Sequence, residues 1–504
     1  MACAGLQVIE KSTWRRRERK QMMTHRNPFK VYGPQKHSIR QSLRAVAALL
    51  TLTGLSSLLL AQQSSYTFTK LAKLGDKAIL VVPPAGPAFH INDFEPGGLN
   101  NAGEVIYGTD LGTSGKPSEW ASTFFGEGVF SQQHGAAIPI DLGHSTGSAP
   151  GGGTFDVLLQ GGASLNDGGD AAYSFTLQPF GTAILSANFF LGFTNSGVYR
   201  YSHASGNVSA VVVPFVTRSP DGSTFSGTGF NTSLNNRGDV VFGGILGSRL
   251  GVFRADKQGA ITTVVAPGDP MPGHATFESE QNSGPWINDG GDVAFTAQLA
   301  GEPPGSSSIY VKDAATGKIS SIVHTGEHAP GGGIFNGTFG PVMNNSGDVA
   351  FQGNLTPGPP SGAFGTLGVY LHSKGVTTAV AVPGDSMPGG GKFVTASYFV
   401  VNEVHINNPG EVAFTALLDT DNDNDGNPDT GLFVSLHGSV KLVARTGTVI
   451  PGVGTIRHLA TATTGFPPPP VLTPSSSAVN NDRGQVFFCA TLTDGTGVLL
   501  IATP

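Results

Sequence analysis

Cysteine, charge and helix-forming composition are all scarce in this chain of 504 residues. Its two cysteines are Cys3 and Cys489, and Cys3 precedes the segment that we expect to direct export, so no internal disulfide is expected. Charged residues make up 13% of the chain, about half of the usual share. Glycine (72 residues) and proline (34 residues) are abundant, which excludes a mostly helical protein. Apolar residues still reach 39%, so we expect a globular all-β fold rather than a disordered chain.

The few charges are distributed unevenly along the chain. Residues 1–44 contain 11 Lys or Arg and 2 Asp or Glu, whereas residues 45–504 contain 18 basic and 33 acidic side chains. An acidic body repels phosphate backbones, so nucleic acid is not expected as a partner. The basic residues at the N-terminus must therefore serve another purpose.

Only one uncharged apolar run is long enough to interact with a membrane. It spans the 17 residues 45–61 (AVAALLTLTGLSSLLLA), follows Arg40 and Arg44, and precedes a polar QQSS sequence. This order is typical of a secretory signal peptide. We predict a leader over residues 1–61, cleaved after Ala61 or nearby, and a single domain over residues 62–504. An uncleaved anchor is the alternative. In either case we expect an exported protein that is extracellular, periplasmic or on the cell surface, and it would contact a membrane only if the leader is retained.

The strongest signal is an internal repeat that occurs seven times, in forms such as LNNRGDVVF, INDGGDVAF and MNNSGDVAF. Each copy begins with an anchor asparagine: Asn100, Asn166, Asn235, Asn288, Asn344, Asn407 and Asn481. A glycine follows three residues later, and an aromatic residue follows seven residues after the anchor: Tyr107, Tyr173, Phe242, Phe295, Phe351, Phe414 and Phe488. In the last copy this aromatic residue is the second of two consecutive phenylalanines. Asn and Gly at these positions favour a turn whose backbone bonds to the Asn side chain, and the apolar residues after it predict a strand covered on both faces.

The repeat predicts a seven-bladed β-propeller-like ring of four-stranded units. Each unit also contains a second strand and a third strand that ends in a Gly/Pro corner, as in ITTVVAPGDPMPGHATF. Residues 73–89 resemble this third-strand phrase, while the seventh unit stops after its second strand. We therefore expect the N-terminal strand to complete and close the last blade. A β-solenoid is the alternative fold.

The repeated N-x-x-G-x-x-x-F phrase and the G-D-x-x-P-G-G-G-x-F corners resemble exported bacterial tandem-repeat proteins of the choice-of-anchor type. The resemblance covers nearly all of residues 65–504. It implies an extracellular or cell-surface repeat protein without catalytic residues to transfer. The chain departs from the expected pattern because GVLLIATP contains no C-terminal sorting motif.

A calcium site is predicted in the segment LLDTDNDNDGNPDTGLF of the sixth unit. Asp421, Asp423, Asp425 and Gly426 match the D-x-D-x-D-G opening of a calcium loop. Asp419 and Asp429 complete the predicted ligand set. Leu432 stands where the usual bidentate Glu would be, so weak Ca²⁺ binding is expected. A solvated acidic hairpin tip is the alternative interpretation.

Two long insertions in adjacent units, residues 109–125 and 177–194, are rich in aromatic residues. We expect them to carry unit-specific function, because insertions distinguish otherwise equivalent units. Packing beneath their own loops is the alternative for their aromatic side chains. The candidate ligand-binding residues are Trp120, Phe124, Phe125, Phe189 and Phe190.

The functional prediction is a secreted or cell-surface, non-enzymatic binding or scaffold protein with an extracellular protein or glycan as its partner. No catalytic residue is assigned, and no cofactor other than Ca²⁺ is expected. The alternative is a carbohydrate-active or other hydrolytic propeller whose acidic residues come from several blades and therefore leave no linear motif.

Overall fold

The computed structural model describes residues 66–78, 89–116, 124–133, 137–142, 148–159, 163–178, 193–281, 284–303, 305–356, 366–396, 404–459 and 478–504. The predicted leader lies outside these ranges. The segment from Ser64 to Pro504 forms one compact unit. Within the described ranges the regular structure is β-strand apart from one short 3-10 turn, Pro272–His274, as expected for a chain so rich in glycine and proline.

The strands are numbered in chain order. The N-terminal part of the chain contains β1 (Thr67–Lys73), β2 (His90–Ile91), β3 (Glu95–Leu99), β4 (Val105–Gly112), β5 (Phe124–Gln132), β6 (Ile138–Leu142), β7 (Thr154–Leu158), β8 (Ser164–Leu165), β9 (Ala171–Gln178), β10 (Phe193–Thr194), β11 (Ser196–Ser202) and β12 (Asn207–Val212). The middle of the chain contains β13 (Gly227–Leu234), β14 (Val240–Leu246), β15 (Arg249–Ala255), β16 (Ile261–Val265), β17 (Pro270–Met271), β18 (Ala275–Ser279), β19 (Trp286–Ile287), β20 (Val293–Leu299), β21 (Ser308–Lys312) and β22 (Ile319–Val323). The last three blades contain β23 (Ile334–Met343), β24 (Val349–Thr356), β25 (Thr366–Ser373), β26 (Val376–Ala381), β27 (Phe393–Ala396), β28 (Val404–Ile406), β29 (Val412–Leu418), β30 (Thr430–Leu436), β31 (Ser439–Arg445), β32 (Val449–Ile450), β33 (Gly454–His458), β34 (Val479–Asn480), β35 (Val486–Leu492) and β36 (Gly497–Thr503).

These strands form seven antiparallel sheets, the seven blades of a β-propeller. Blade 1 contains β2 to β6, blade 2 contains β7 to β9, β11 and β12, and blade 3 contains β10 and β13 to β16. Blade 4 contains β17 to β22, blade 5 contains β23 to β26, blade 6 contains β27 to β31, and blade 7 contains β32 to β36 together with β1. The predicted seven-bladed fold is therefore confirmed. The predicted four strands occur as four positions, but the innermost position is often divided into two short strands, as where β2 and β3 both pair with β4.

The ring closes through the two ends of the chain. β1 pairs with β36 in antiparallel register from Thr67 opposite Thr503 to Lys73 opposite Val498. The Phe68 ring also packs edge to face against Phe488 of β35, with ring centroids 6.3 Å apart. An open solenoid is thus wrong. The closing strand nevertheless lies upstream of the segment expected from sequence: the pairing residues are 67–73, and Gly75 (φ 85°) occupies the corner that follows them.

The repeated aromatic residues form the core of each blade. All seven are fully buried, and six of them stack on an aromatic residue of the next strand at centroid distances of 5.5–6.3 Å. In blade 7 the next strand carries Leu500 opposite Phe488, and Phe68 of the closing strand supplies the aromatic contact instead. The side chain of Cys489 is buried, as its position in an apolar strand predicts.

Candidate functional site

The seven anchor asparagines form a closed ring of hydrogen bonds at one end of the propeller, which we call the asparagine end. The Oδ1 atom of each anchor accepts N–H groups of its own turn. The Nδ2 atom donates to the main-chain carbonyl oxygen of the anchor in the next blade, at 2.9–3.5 Å. The bond from Asn481 to Asn100, at 2.9 Å, completes this asparagine ring across the two ends of the domain.

A second ring is formed by the residue after each anchor: Asn101, Asp167, Asn236, Asp289, Asn345, Asn408 and Asp482. The main-chain N–H of each residue donates to the side-chain Oδ1 of the next one, at 2.8–2.9 Å. We call it the amide–carboxylate ring. The two rings together link all seven blades at this end.

The order of residues in the amide–carboxylate ring separates its negative charges. Each of the three aspartates has an asparagine on both sides, and its Oδ2 accepts two Nδ2–H bonds of 2.7–3.2 Å. A ring of seven positions can hold at most three charges without placing two side by side, and this ring holds three. The odd number leaves one amide–amide step, between Asn345 and Asn408. Each carboxylate therefore accepts three structural bonds, one at Oδ1 and two at Oδ2, out of about four that it can accept.

The rings surround a cavity of about 130 Å³, where the seven units differ most at this end. The residue two positions before the anchor is Trp286 in blade 4 and His405 in blade 6, whereas the other blades carry Gly, Ser or Val there. The rings of Trp286 and His405 meet edge to face at 5.3 Å. Asn480 occupies a position where the other blades have Leu, Ile or Met, and its Oδ1 lies 2.8 Å from Nδ1 of His405.

The protonation of His405 follows from its partner. Asn480 donates through Nδ2 to the carbonyl oxygen of Glu411 at 2.9 Å, which fixes its Oδ1 as the acceptor, so Nδ1 of His405 carries the hydrogen. Burial lowers the pKa of His405, although the Asn480 bond and the charge of Asp482 act in the opposite direction. The imidazole is therefore neutral at pH 7, and its Nε2 is a hydrogen-bond acceptor.

The opposite end of the propeller, which we call the insertion end, contains the hairpins and corners that vary between units. In blade 1 it also carries four carboxylates: Asp93 and Glu95 where the innermost strand begins, Asp110 near the end of β4, and Glu127 in β5. Asp93 Oδ1 accepts the N–H of Phe94 at 2.7 Å, and Glu127 accepts the N–H of Leu158 from blade 2. None of the four forms an ion pair with a Lys, Arg or His of the described residues.

Burial raises the pKa of all four carboxyl groups. It raises the pKa of Glu95 to about 8, with the nearby Asp110 acting in the same direction, and it raises the pKa of Asp110 to about 6. The pKa values of Asp93 and Glu127 are also raised, first by burial and then by neighbouring carboxylates. These four residues, which we call the blade 1 acid cluster, share protons at neutral pH. Sequence reasoning missed them because they match no repeated or spaced motif.

A second feature of the insertion end is Phe215, in the corner between blades 2 and 3. Its N–H donates to the carbonyl oxygen of Phe225, as the corner glycines Gly268 and Gly384 donate to the next blade. Those glycines have φ of 98° and 95°, and Phe215 has φ of 61° while 51% of its surface is exposed. A bulky residue in this region is strained. The sequence signal was PFVT in place of PGDP.

The structure brings together three of the five predicted calcium ligands. Carboxylate oxygens of Asp421, Asp423 and Asp425 lie within 4.8 Å of one another in the hairpin between β29 and β30. Asp425 is also engaged by two neighbouring side chains, because its Oδ2 lies 2.9 Å from Arg457 and 3.0 Å from His458.

Asp419 and Asp429, the other two predicted ligands, serve different purposes. Asp419 Oδ1 accepts the N–H of Lys392 at 2.6 Å. Asp429 is fully buried, pairs with Arg445 at 3.0 Å, and accepts the hydroxyl of Thr420 at 2.6 Å. Asp429 is a buried carboxylate neutralised by Arg445, so it is not free to reach a cation in the exposed part of the loop. Asp419 is exposed and is engaged by the main chain of Lys392. The group of converging carboxylates is therefore Asp421, Asp423 and Asp425.

The predicted aromatic ligand-binding residues fall at the margins of the described structure. Trp120, Phe189 and Phe190 lie outside the described residues. The main chain of Phe124 and Phe125 begins β5, but their side chains lie outside the description. β5 also carries Glu127 of the acid cluster.

Comparison with known proteins places residues 53–503 in DUF7453, a family of unknown function, and the chain belongs to that family. A search of curated proteins gave no significant match. Among solved structures, an oligogalacturonate lyase in complex with manganese is similar at 12% identity, with a TM-score of 0.43 over 87% of this chain and 97% of the lyase. The β-propeller domain of the Trilobed protease from Pyrococcus furiosus is similar at 8% identity, with a TM-score of 0.42 over 82% of this chain and 96% of that domain. Within the described residues, no helix is long and apolar enough to cross a membrane.

Proposed function

We propose that this protein is an exported, non-enzymatic binding propeller whose insertion end, at blades 1 and 2, contacts an extracellular protein or glycan. The observation that carries this proposal is the blade 1 acid cluster, one buried and three half-buried carboxylates without a basic partner among the described residues. A partner that brings positive charge to this cluster gains electrostatic energy in a region of low dielectric. Among the candidate partners, the cluster therefore favours a protein surface rich in Lys and Arg.

Phe215 supports a binding surface at the same end of the molecule. An exposed aromatic side chain is held there in a conformation that the equivalent corners give to glycine. Residues with strained backbone conformations cluster at ligand-binding and other functional sites. Exposed aromatic residues are frequent anchors in protein interfaces and can also stack on sugars.

The test is a binding screen of the secreted protein against defined protein and glycan panels, repeated with Glu95→Gln, Glu127→Gln. This double variant removes two carboxylates and keeps the shape of the site. We expect a hit among basic proteins that the double variant loses and Glu278→Gln retains, since Glu278 pairs with Arg249 on another blade. Equal binding by both variants would remove the acid cluster from the proposal.

The alternative is a hydrolytic or carbohydrate-active enzyme that uses the same cluster. The specific observation in its favour is the raised pKa of Glu95, about 8, because a carboxyl group that stays protonated at neutral pH can act as a general acid. Release of reducing ends from a panel of polysaccharides, abolished by Glu95→Gln, would establish this alternative. Export itself is tested by mass spectrometry of the mature N-terminus, which we expect near residue 62.

We also propose weak Ca²⁺ binding in the hairpin of blade 6, supported by the convergence of Asp421, Asp423 and Asp425. Because Arg457 and His458 compete for Asp425, we expect affinity in the millimolar range. Amide exchange should slow in residues 417–433 on titration with calcium, and not in Asp421→Ala, Asp423→Ala. An unchanged exchange pattern in the wild type would leave a solvated acidic tip.

A further inference from the structure

The cavity at the asparagine end is built almost entirely of hydrogen-bond acceptors. Both hydrogens of Nδ2 are used in most anchors: one goes to the next blade, and the other goes to an acidic or amide side chain of the same turn, at 2.8–3.2 Å. In the amide–carboxylate ring Asn101 and Asn236 direct both Nδ2 hydrogens to aspartates, and Asn345 and Asn408 each direct one. What remains for a ligand is mainly the lone pairs of carboxylate and amide oxygens.

The side chains that interrupt the sevenfold pattern have the same character. Trp286 offers an aromatic ring with a negative π face, together with one indole N–H donor. His405 is neutral and presents Nε2 as an acceptor, because Nδ1 is engaged by Asn480. The wall contains no Lys or Arg among the described residues. The cavity is thus electron-rich, and its rim carries the three negative charges of Asp167, Asp289 and Asp482.

Size and polarity together restrict the ligand. The volume, about 130 Å³, is close to that of a cavity of about 150 Å³ that accommodates benzene. The apolar residues before the anchors, such as Leu99, Leu234 and Met343, contribute to the wall. A ligand must therefore be small, partly apolar and able to donate hydrogen bonds from a positive group. An aromatic ring near carboxylates binds organic ammonium ions through cation–π and charge interactions.

We propose that the axial cavity binds a small organic ammonium compound, with its charged nitrogen at the amide–carboxylate ring and its apolar body against Trp286. This site lies at the end of the propeller opposite the blade 1 acid cluster, and it does not depend on the binding function of that cluster. Trp286, His405 and Asn480 are its specificity-determining residues, because they are the positions at which the repeat departs from its own pattern around the cavity.

The test is calorimetric titration of the full chain with benzylammonium, paired with the neutral isostere benzyl alcohol. We expect benzylammonium to bind at least about tenfold more tightly, and the affinity to fall with salt because the rim charges are partly exposed to solvent. Equal affinity for the alcohol, or no heat of binding up to about 10 mM ammonium, would overturn the proposal. Ca²⁺ that displaces the ammonium at equal concentration would also overturn it, by reassigning the site to metal ions.

Two substitutions locate the binding site. Trp286→Val installs the residue found at the same position in blades 5 and 7. Asp482→Asn creates two amide–amide steps, with Asn408 and Asn101, like the natural one between Asn345 and Asn408. We expect each to weaken benzylammonium binding by about tenfold or more, with the thermal midpoint little changed.

The charge-matched control is Asp313→Asn. Asp313 lies in the exposed hairpin between β21 and β22 and accepts bonds from Thr316, which an asparagine can also accept. We expect this variant to bind like the wild type. Binding that survives both Trp286→Val and Asp482→Asn would place the ammonium ion elsewhere and overturn the assignment.

Discussion

The two ends of the propeller differ in how closely the seven units resemble one another. The asparagine end consists of seven copies of one turn, and its side chains bond from each blade to the next until the ring is complete. The insertion end differs from blade to blade. Blade 1 brings four carboxylates together there, blade 6 pairs Asp429 with Arg445, and one corner carries Phe215 in place of glycine. The repeat therefore stays constant within the chain where its turns close the ring, and varies where hairpins and corners take no part in the two rings.

The largest expected effect comes from breaking the closure itself. Removal of residues 1–73 deletes β1 and exposes the edge of β36, whereas removal of residues 1–65 leaves every described strand intact. We expect the longer truncation to lower the thermal midpoint by at least about 10 °C, or to aggregate, because it opens an apolar blade and a sheet edge. Differential scanning calorimetry measures both. Equal midpoints would show that the ring does not depend on its terminal strand.

The asparagine ring should be more sensitive to substitution than the amide–carboxylate ring. Asn344→Ala removes four side-chain bonds, including the one to Asn407. It should lower the free energy of unfolding by about 2–4 kcal/mol, because buried N–H and carbonyl groups lose their partners. Asn345→Ala, at the exposed neighbouring position, should cost about 1 kcal/mol. Denaturant unfolding followed by tryptophan fluorescence compares the two, and a reversed order would contradict the structural role assigned to the anchors.

The insertion end should make the protein less stable as pH rises. The pKa of Glu95 is about 4.5 in the unfolded chain and about 8 in the folded one. Between these values the folded state binds more protons, so its contribution to stability is complete below pH 4.5 and declines up to pH 8. We expect the thermal midpoint to fall by a few degrees between pH 5 and 8, and the fall to be smaller in Glu95→Gln. Glu278→Gln, at a half-buried carboxylate that pairs with Arg249, serves as the control and should keep the wild-type slope.

The smallest effect tests the spacing of charge in the amide–carboxylate ring. Asn345→Asp places a carboxylate beside Asp289 and should destabilise the fold by about 0.5–1 kcal/mol at low salt, less at high salt. The double variant Asp289→Asn, Asn345→Asp again holds three separated charges, so it should recover the lost stability. Chemical denaturation at two salt concentrations is sufficient. If the double variant is no more stable than Asn345→Asp, separation of charge does not explain the order of residues.

Much of the asparagine end could be predicted from the sequence, because its information is local and repeated. The spacing from Asn to Gly specified the turn, and all seven glycines have positive φ of 73–90°. The alternating apolar residues after it specified the buried strand. What spacing could not provide was the destination of the Asn Nδ2 atom, which bonds to a residue 53–74 positions away, or 381 positions away at the closure.

The candidate sites show the same division. The loop from Asp419 to Asp429 was recognisable in the sequence as an acidic cluster. The ion pair that removes Asp429 from it depended on Arg445, which lies at the end of β31. The closing strand was expected near residues 73–89 and forms at 67–73, because a short phrase with glycine and proline aligns in more than one register. The blade 1 acid cluster was not predicted, since its four carboxylates come together only when three strands pair.

The sequence by itself determined the fold class, the number of blades and the turn that precedes each strand with a repeated aromatic residue. These features depend on periodic composition and on the conformational preferences of Asn and Gly. Only the tertiary structure decided the closure of the two hydrogen-bonded rings, the cavity lined by Trp286 and His405, and the raised pKa values of the blade 1 acid cluster. The physical reason is that hydrogen-bond partners, burial and electrostatic repulsion depend on distances in space, and those distances arise between blades that the repeat makes alike and the sequence separates.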